Sequence, residues 1–256
     1  MKKFYDKFIY GDLEDMMGTI HLQDKDAQIV DWRADITKRK THNVAFFGCS
    51  FTYGWGVTEE ESWPHKLCNL LGDNVQCWNF GVSAGSLGLS SKLFLKVQEE
   101  LNPDLVIVWW PEMHRRVWVD EKGKIYHWLA NHQDPLHRNK INEGFKPVSK
   151  DVHKSFLGLS HTMYDYFHIL NDATIINKLS NRCVNILKLD KEDIKYKEEL
   201  KKYYGVEYIV DSLYSKDMPN VKWQISKDDG HPNSKWCTRF SEYLYKEIVL
   251  INRTNS

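Results

Sequence analysis

The sequence predicts an α/β fold, a three-layer α/β/α sandwich built on a parallel sheet. Three observations carry the prediction. The apolar run Val44-Ala45-Phe46-Phe47, the segment Val75 to Phe80 and the run Leu105 to Trp110 each read as a strand, short and bounded by turn formers. Two stretches of helical periodicity separate them. The alternation fits within about seventy residues, and a strand–helix–strand–helix–strand order winds a parallel sheet through right-handed crossovers.

The elements follow in order. Residues 1–40 are polar and weakly patterned, with Asp31-Trp32-Arg33 near their end, and are expected to be an N-terminal extension wrapping the edge of a single domain over 41–256. Strand one covers 44–48. From Glu61 to Leu71, Trp63, Leu67, Leu70 and Leu71 recur at helical spacing, and Gly72-Asp73-Asn74 stops the helix. Strand two leads into a loop at Gly81. Ser86 to Leu101 repeats Leu87, Phe94, Leu95, Val97 and Leu101 in helical register, and Asn102-Pro103 ends it before strand three.

The pattern loosens after Pro111. Val117 to Trp128 holds Asp120-Glu121-Lys122-Gly123-Lys124 between apolar flanks and predicts a β-hairpin. It lies in an insertion spanning about 112–152, and long excursions at this edge of a sheet shape ligand pockets. His153 to Leu179 is expected to be helical, with Phe156, Leu159, Met163, Tyr166, Phe167 and Leu170 as its apolar face. Val184 to Leu189 is the fourth strand. Glu198 to Tyr204 reads as a helix, Val206 to Val210 as a short strand and Ser234 to Leu250 as the last helix.

Composition bounds the partners. The 256 residues suffice for one α/β domain with a substantial core. Lys plus Arg number 35 and so do Asp plus Glu, which argues against a nucleic-acid or membrane-surface partner. No apolar stretch has the length of a membrane span. The start Met1 to Lys7 has basic residues, but Asp12, Glu14 and Asp15 interrupt any apolar segment, so no ordinary secretory signal is expected and the location expected is cytoplasmic.

The five cysteines, Cys49, Cys68, Cys77, Cys183 and Cys237, are widely spaced without a Cys-x-x-Cys pair. Neither a disulfide nor a thiolate zinc site is expected, and all but Cys49 are expected to pack as small apolar residues. His127, His132 and His137, with His114 upstream, recur at a five-residue period. That period fits neither a helix face nor a strand face, so surface histidines are preferred over a metal site. Gly81, Gly85 and Gly88 lack the dinucleotide fingerprint and the phosphate-loop lysine, and read as turn residues. Ten tryptophans and an aromatic share of 13% suit either a packed core or a sugar-lined groove.

Two segments carry chemistry. Gly48-Cys49-Ser50-Phe51-Thr52-Tyr53-Gly54 sets Ser50 at the C-terminal end of strand one, where α/β sheets place ligands. Asp228-Asp229-Gly230-His231-Pro232-Asn233 offers a carboxylate and an imidazole three residues apart. A serine hydroxyl needs a base to take its proton, and the base needs a third group to hold its tautomer. Taken singly, each segment has a plainer reading, a helix-capping serine and a solvated turn.

Together they resemble the first and last sequence blocks of the SGNH/GDSL hydrolase family. Gly48-Cys49-Ser50 matches Gly-Asp-Ser with Cys49 in place of the aspartate. Asp228 and His231 match the terminal Asp-x-x-His, and Asn79-Phe80-Gly81-Val82-Ser83-Ala84-Gly85 resembles the second block. The resemblance implies a flavodoxin-like sheet and assigns Ser50 as nucleophile, His231 as base and Asp228 as its orienting carboxylate. It puts the backbone N–H groups of Ser50 and Gly81 in the oxyanion hole. The third block departs from the family, because Met113 falls where an asparagine donates to the oxyanion, and a thioether cannot donate. His114 or Arg115 is expected to supply that hydrogen bond. Arg115 and Arg116 are candidates for holding an anionic substrate group, against the plainer reading of a basic surface. Cys49 is the less favoured candidate nucleophile.

The function these residues imply is a serine esterase acting on an O-acyl ester through an acyl-enzyme. Its partner would be a small-molecule or glycan ester, and no cofactor or metal is implied. An O-acyltransferase and a non-catalytic binding or assembly protein that retains the fold stay open, as does the oligomeric state.

Overall fold

The computed structural model describes residues 39–82, 85, 87–111, 115–119, 125–129, 162–187, 209–211, 224–226 and 230–254. The extension over 1–38, the expected helix 198–204 and most of the insertion lie outside them.

Strand β1 is His42–Gly48, followed at once by a four-residue helix α1, Ser50–Tyr53. Helix α2, Trp63–Leu71, leads to β2, Val75–Gly81, and helix α3, Leu87–Leu101, to β3, Leu105–Trp109. The hairpin falls where the sequence places it, as β4, Arg115–Val119, antiparallel to β5, Ile125–Leu129, with Val117 opposite His127. Helix α4 is Thr162–Leu179, β6 is Cys183–Leu187, β7 is Ile209–Asp211 and helix α5 is Ser234–Thr254. The last helix runs four residues beyond the expected Leu250.

The main sheet has the order β2-β1-β3-β6-β7, and each neighbouring pair is parallel. The chain winds from β1 to β2 on one side and then crosses to β3 on the other. This reversal opens a crevice at the C-terminal ends of β1 and β3, where open α/β sheets bind ligands. The register brings Gly48 beside Gly81 and Trp109, so the segments that leave these three strands emerge together.

Side-chain alternation on β1 divides the core between two faces. Ala45 and Phe47 join Phe94, Val97, Leu101, Ile169 and Ile176 from α3 and α4. Val44 and Phe46 join Trp63 and Leu67 from α2 and Trp236, Phe240 and Leu244 from α5. β1 and β3 are buried on both faces, as a central parallel strand must be. Their starts are tied reciprocally. The Asn43 N–H donates to Asp104 Oδ2 at 2.7 Å, and the Asp104 N–H donates to the Asn43 carbonyl at 2.8 Å.

One expectation is corrected. Cys68 on α2 and Cys77 on β2 form a disulfide, with their Cα atoms 6.1 Å apart. The turn at Gly72 folds α2 back beside β2, so two cysteines nine positions apart in sequence come within bridging distance. Among the described residues Cys49, Cys183 and Cys237 take no part in a disulfide, and all three are buried. Burial pushes the Cys237 thiol up to about 11, so it packs as the apolar residue the sequence predicts.

Candidate active site

Ser50 begins α1, directly beyond β1. The turn from strand to helix needs glycine at its corner. Gly48 has φ +155°, and a Cβ there would lie 2.3 Å from Thr52 Oγ1 and 2.6 Å from the Trp109 carbonyl oxygen. With no side chain at that corner, the backbone reverses tightly between β1 and β3. Ser50 itself is only 4% exposed, and its N–H belongs to the first turn of a helix, where backbone donors have no intrahelical acceptor.

His231 reaches Ser50 from the other end of the chain. Its Nε2 lies 2.9 Å from Ser50 Oγ. Local hydrogen bonds fix this approach. The Ile225 N–H donates to the His231 carbonyl at 2.9 Å, and Gln224 pairs with Pro232 in an antiparallel bridge. Asn233 Nδ2 donates to the Gln224 carbonyl at 3.0 Å. Its Oδ1 accepts from the Trp236 N–H at 2.9 Å and so caps α5. The histidine therefore sits on a short loop clamped between a bridge and a helix N-terminus.

Aromatic rings surround the imidazole. Phe51 meets it edge-on, with centroids 5.5 Å apart, and also packs edge-on against Trp109 at 5.4 Å. Trp55 lies 6.1 Å from it and is 38% exposed. The apolar wall limits water around the His231 ring on one side, while the exposed Trp55 indole stands at the rim.

Asp228, expected to orient the ring, and His114, expected to donate to the oxyanion, lie outside the described residues, as do Glu112 and Met113. Arg115 and Arg116 open β4. Cys49 is buried beside Ser50. The Gly81 N–H, expected in the oxyanion hole, donates in this structure to Asn79 Oδ1 at 2.9 Å. Gly81 is also a point of close approach, since a Cβ there would lie 2.4 Å from the Tyr53 nitrogen. Sequence reasoning missed Asn79, Phe51 and Trp55 as parts of the site. The available signals were an amide two residues before a strand-end glycine and aromatic residues flanking the serine segment.

No protein-family model matches the sequence, and no curated protein matches it. Solved structures do resemble the fold. A member of the lipolytic protein G-D-S-L family from Veillonella parvula is 15% identical, with 81% of this chain and 97% of the other covered at a TM-score of 0.50. TesA is 13% identical, with 80% of this chain and 97% of the other covered at the same TM-score of 0.50. The chain carries the α/β fold of the SGNH/GDSL hydrolases.

Proposed function

We propose that the protein is a serine ester hydrolase that works through an acyl-enzyme on Ser50. The observation that carries the reading is the 2.9 Å contact between Ser50 Oγ and His231 Nε2 at the C-terminal edge of β1. In this mechanism Ser50 Oγ attacks the ester carbonyl while His231 Nε2 takes its proton. The imidazolium then returns that proton to the departing alcohol, and water repeats the sequence to release the acid. Asp228 holds the other ring nitrogen.

The oxyanion is held first by the Ser50 N–H. A charged oxygen is a better acceptor than the Asn79 amide, so in this reading the Gly81 N–H exchanges Asn79 Oδ1 for the tetrahedral intermediate. His114 or Arg115 completes the hole in place of the family asparagine.

The position of Trp55 supports a ring-bearing alcohol, such as a sugar, as the esterified group. The leaving oxygen must approach His231 Nε2, so a side chain flanking that ring meets the alcohol moiety rather than the acyl chain. An exposed indole there offers a flat apolar face. The experiment is fluorophosphonate labelling followed by peptide mass spectrometry, with hydrolysis assayed on phenyl, acetylated-pyranoside and ethyl acetates. Label on Ser50 with turnover supports the reading. A protein that neither labels nor hydrolyses any of the three is a binding or assembly protein on this fold, and label on Cys49 reassigns the nucleophile.

A further inference from the structure

Helix α1 is four residues long, far below the length at which helical hydrogen bonding sustains itself. Something outside it must hold Ser50 in place. The carbonyls of the turn show what does. Cys49 O accepts from the Thr52 and Tyr53 N–H groups, and Ser50 O from those of Gly54 and Trp55. Among the described residues the next two carbonyls are met by side chains from other elements. Phe51 O accepts from Trp63 Nε1 at 3.0 Å, and Thr52 O accepts from Asn79 Nδ2 at 2.8 Å.

Asn79 uses both ends of its amide. While Nδ2 holds the nucleophile turn, Oδ1 accepts from the Gly81 N–H at 2.9 Å. Each backbone partner has only one role, donor or acceptor, so the orientation of the amide is fixed by the pair. Among the described residues β2 is the edge of the sheet, and an outward N–H on an edge strand has no ladder partner. Asn79 therefore clasps the end of that edge to the turn carrying Ser50, at the point where Gly81 lets the two backbones approach.

We propose that Asn79 is a positioning residue for the nucleophile: through Thr52 it sets the place of Ser50 relative to His231 and to the oxyanion. The proposal rests on the esterase reading for its kinetic consequence and on the clasp alone for its structural one. Two variants discriminate together. Asn79→Ala removes the clasp and frees the Gly81 N–H for the oxyanion, so a fall in its kcat reports the clasp. Asn79→Asp removes the donor to Thr52. It keeps the size of the side chain and an acceptor for Gly81, but sets a carboxylate against the Thr52 carbonyl, to which it cannot donate. Displacements of about 1 Å in a reacting group cost up to about a hundredfold in rate.

The experiment measures kcat, KM and Tm for the full chain, Asn79→Asp, Asn79→Ala and Ile248→Ala, a buried position on α5 that serves as a stability control. The expected result is a kcat lower by about 10- to 100-fold in both Asn79 variants, with KM nearly unchanged. Ile248→Ala should lose Tm and keep its kcat. Retention of kcat by Asn79→Asp, or a common dependence of kcat on Tm across all variants, overturns the proposal. A crystal structure of Asn79→Asp decides the structural part even if the wild-type chain hydrolyses nothing. Ser50 Oγ still within hydrogen-bond distance of His231 Nε2 refutes the clasp, and separation of the two upholds it.

Discussion

His231 Nε2 lies 2.9 Å from Ser50 Oγ although 181 positions separate the two residues in sequence. Neither residue is placed by its own helix or strand alone. Ser50 depends on the corner at Gly48 and on donors from Trp63 and Asn79, and His231 depends on the bridge to Gln224 and the Asn233 cap. The pair is a product of packing.

The contact predicts a ranking of substitutions. His231→Ala should reduce ester turnover as severely as Ser50→Ala, by three or more orders of magnitude, because the members act as a unit. Asp228→Asn should cost a similar amount or less, and Cys49→Ala far less. Steady-state kinetics on phenyl acetate provide the check. A His231→Ala variant within about tenfold of wild type would remove the base from the mechanism.

The corner at Gly48 is expected to tolerate no side chain. In Gly48→Ala the new methyl would overlap Thr52 Oγ1 and the Trp109 carbonyl at a positive φ. Strain and overlap together should cost at least ~3 kcal/mol. Urea unfolding of the variant measures this, and a loss below about 1 kcal/mol would show that the corner relaxes easily.

The Cys68–Cys77 bridge closes a short loop between α2 and β2. Its reduction, or Cys68→Ser, should lower stability by about 2–3 kcal/mol on the loop-entropy account. Thermal melts with and without dithiothreitol test it, with Cys68→Ser as the variant that should no longer respond. An equal Tm in both conditions for the wild-type chain would mean the bridge contributes nothing.

Asp172 on α4 gives a pH dependence. Burial pushes its carboxyl above the ordinary range, against smaller opposing effects that include nearby His168 and Lys92. Its native state therefore binds the proton more tightly than the unfolded chain does. Stability contributed by this group is full below the unfolded value, near pH 4, and is lost as pH rises through the folded value. Asp172→Asn should consequently be more stable than wild type at neutral pH, with the difference shrinking toward pH 4. Urea midpoints measured across that interval give the answer, and a gap that widens on acidification contradicts the sign.

By itself the sequence determined the sheet and its winding, because strand and helix periods are local. The apolar runs at Val44–Phe47 and Leu105–Trp109, short and bounded by turn formers, read as buried strands, and the helical stretches between them fit right-handed crossovers. It also determined which residues could do chemistry, since Ser50 stands after a strand and an imidazole stands at His231. Tertiary structure alone decided three things. It brought Cys68 and Cys77 together through a turn whose geometry no spacing rule specifies. It showed that the Gly81 N–H is occupied by Asn79, a hydrogen bond set by the edge position of β2 and by the approach of α1. It also placed Trp55 and Phe51 around the imidazole, on a serine turn too short to hold its own shape. Each of these depends on contacts between elements, and sequence periodicity carries information only within one.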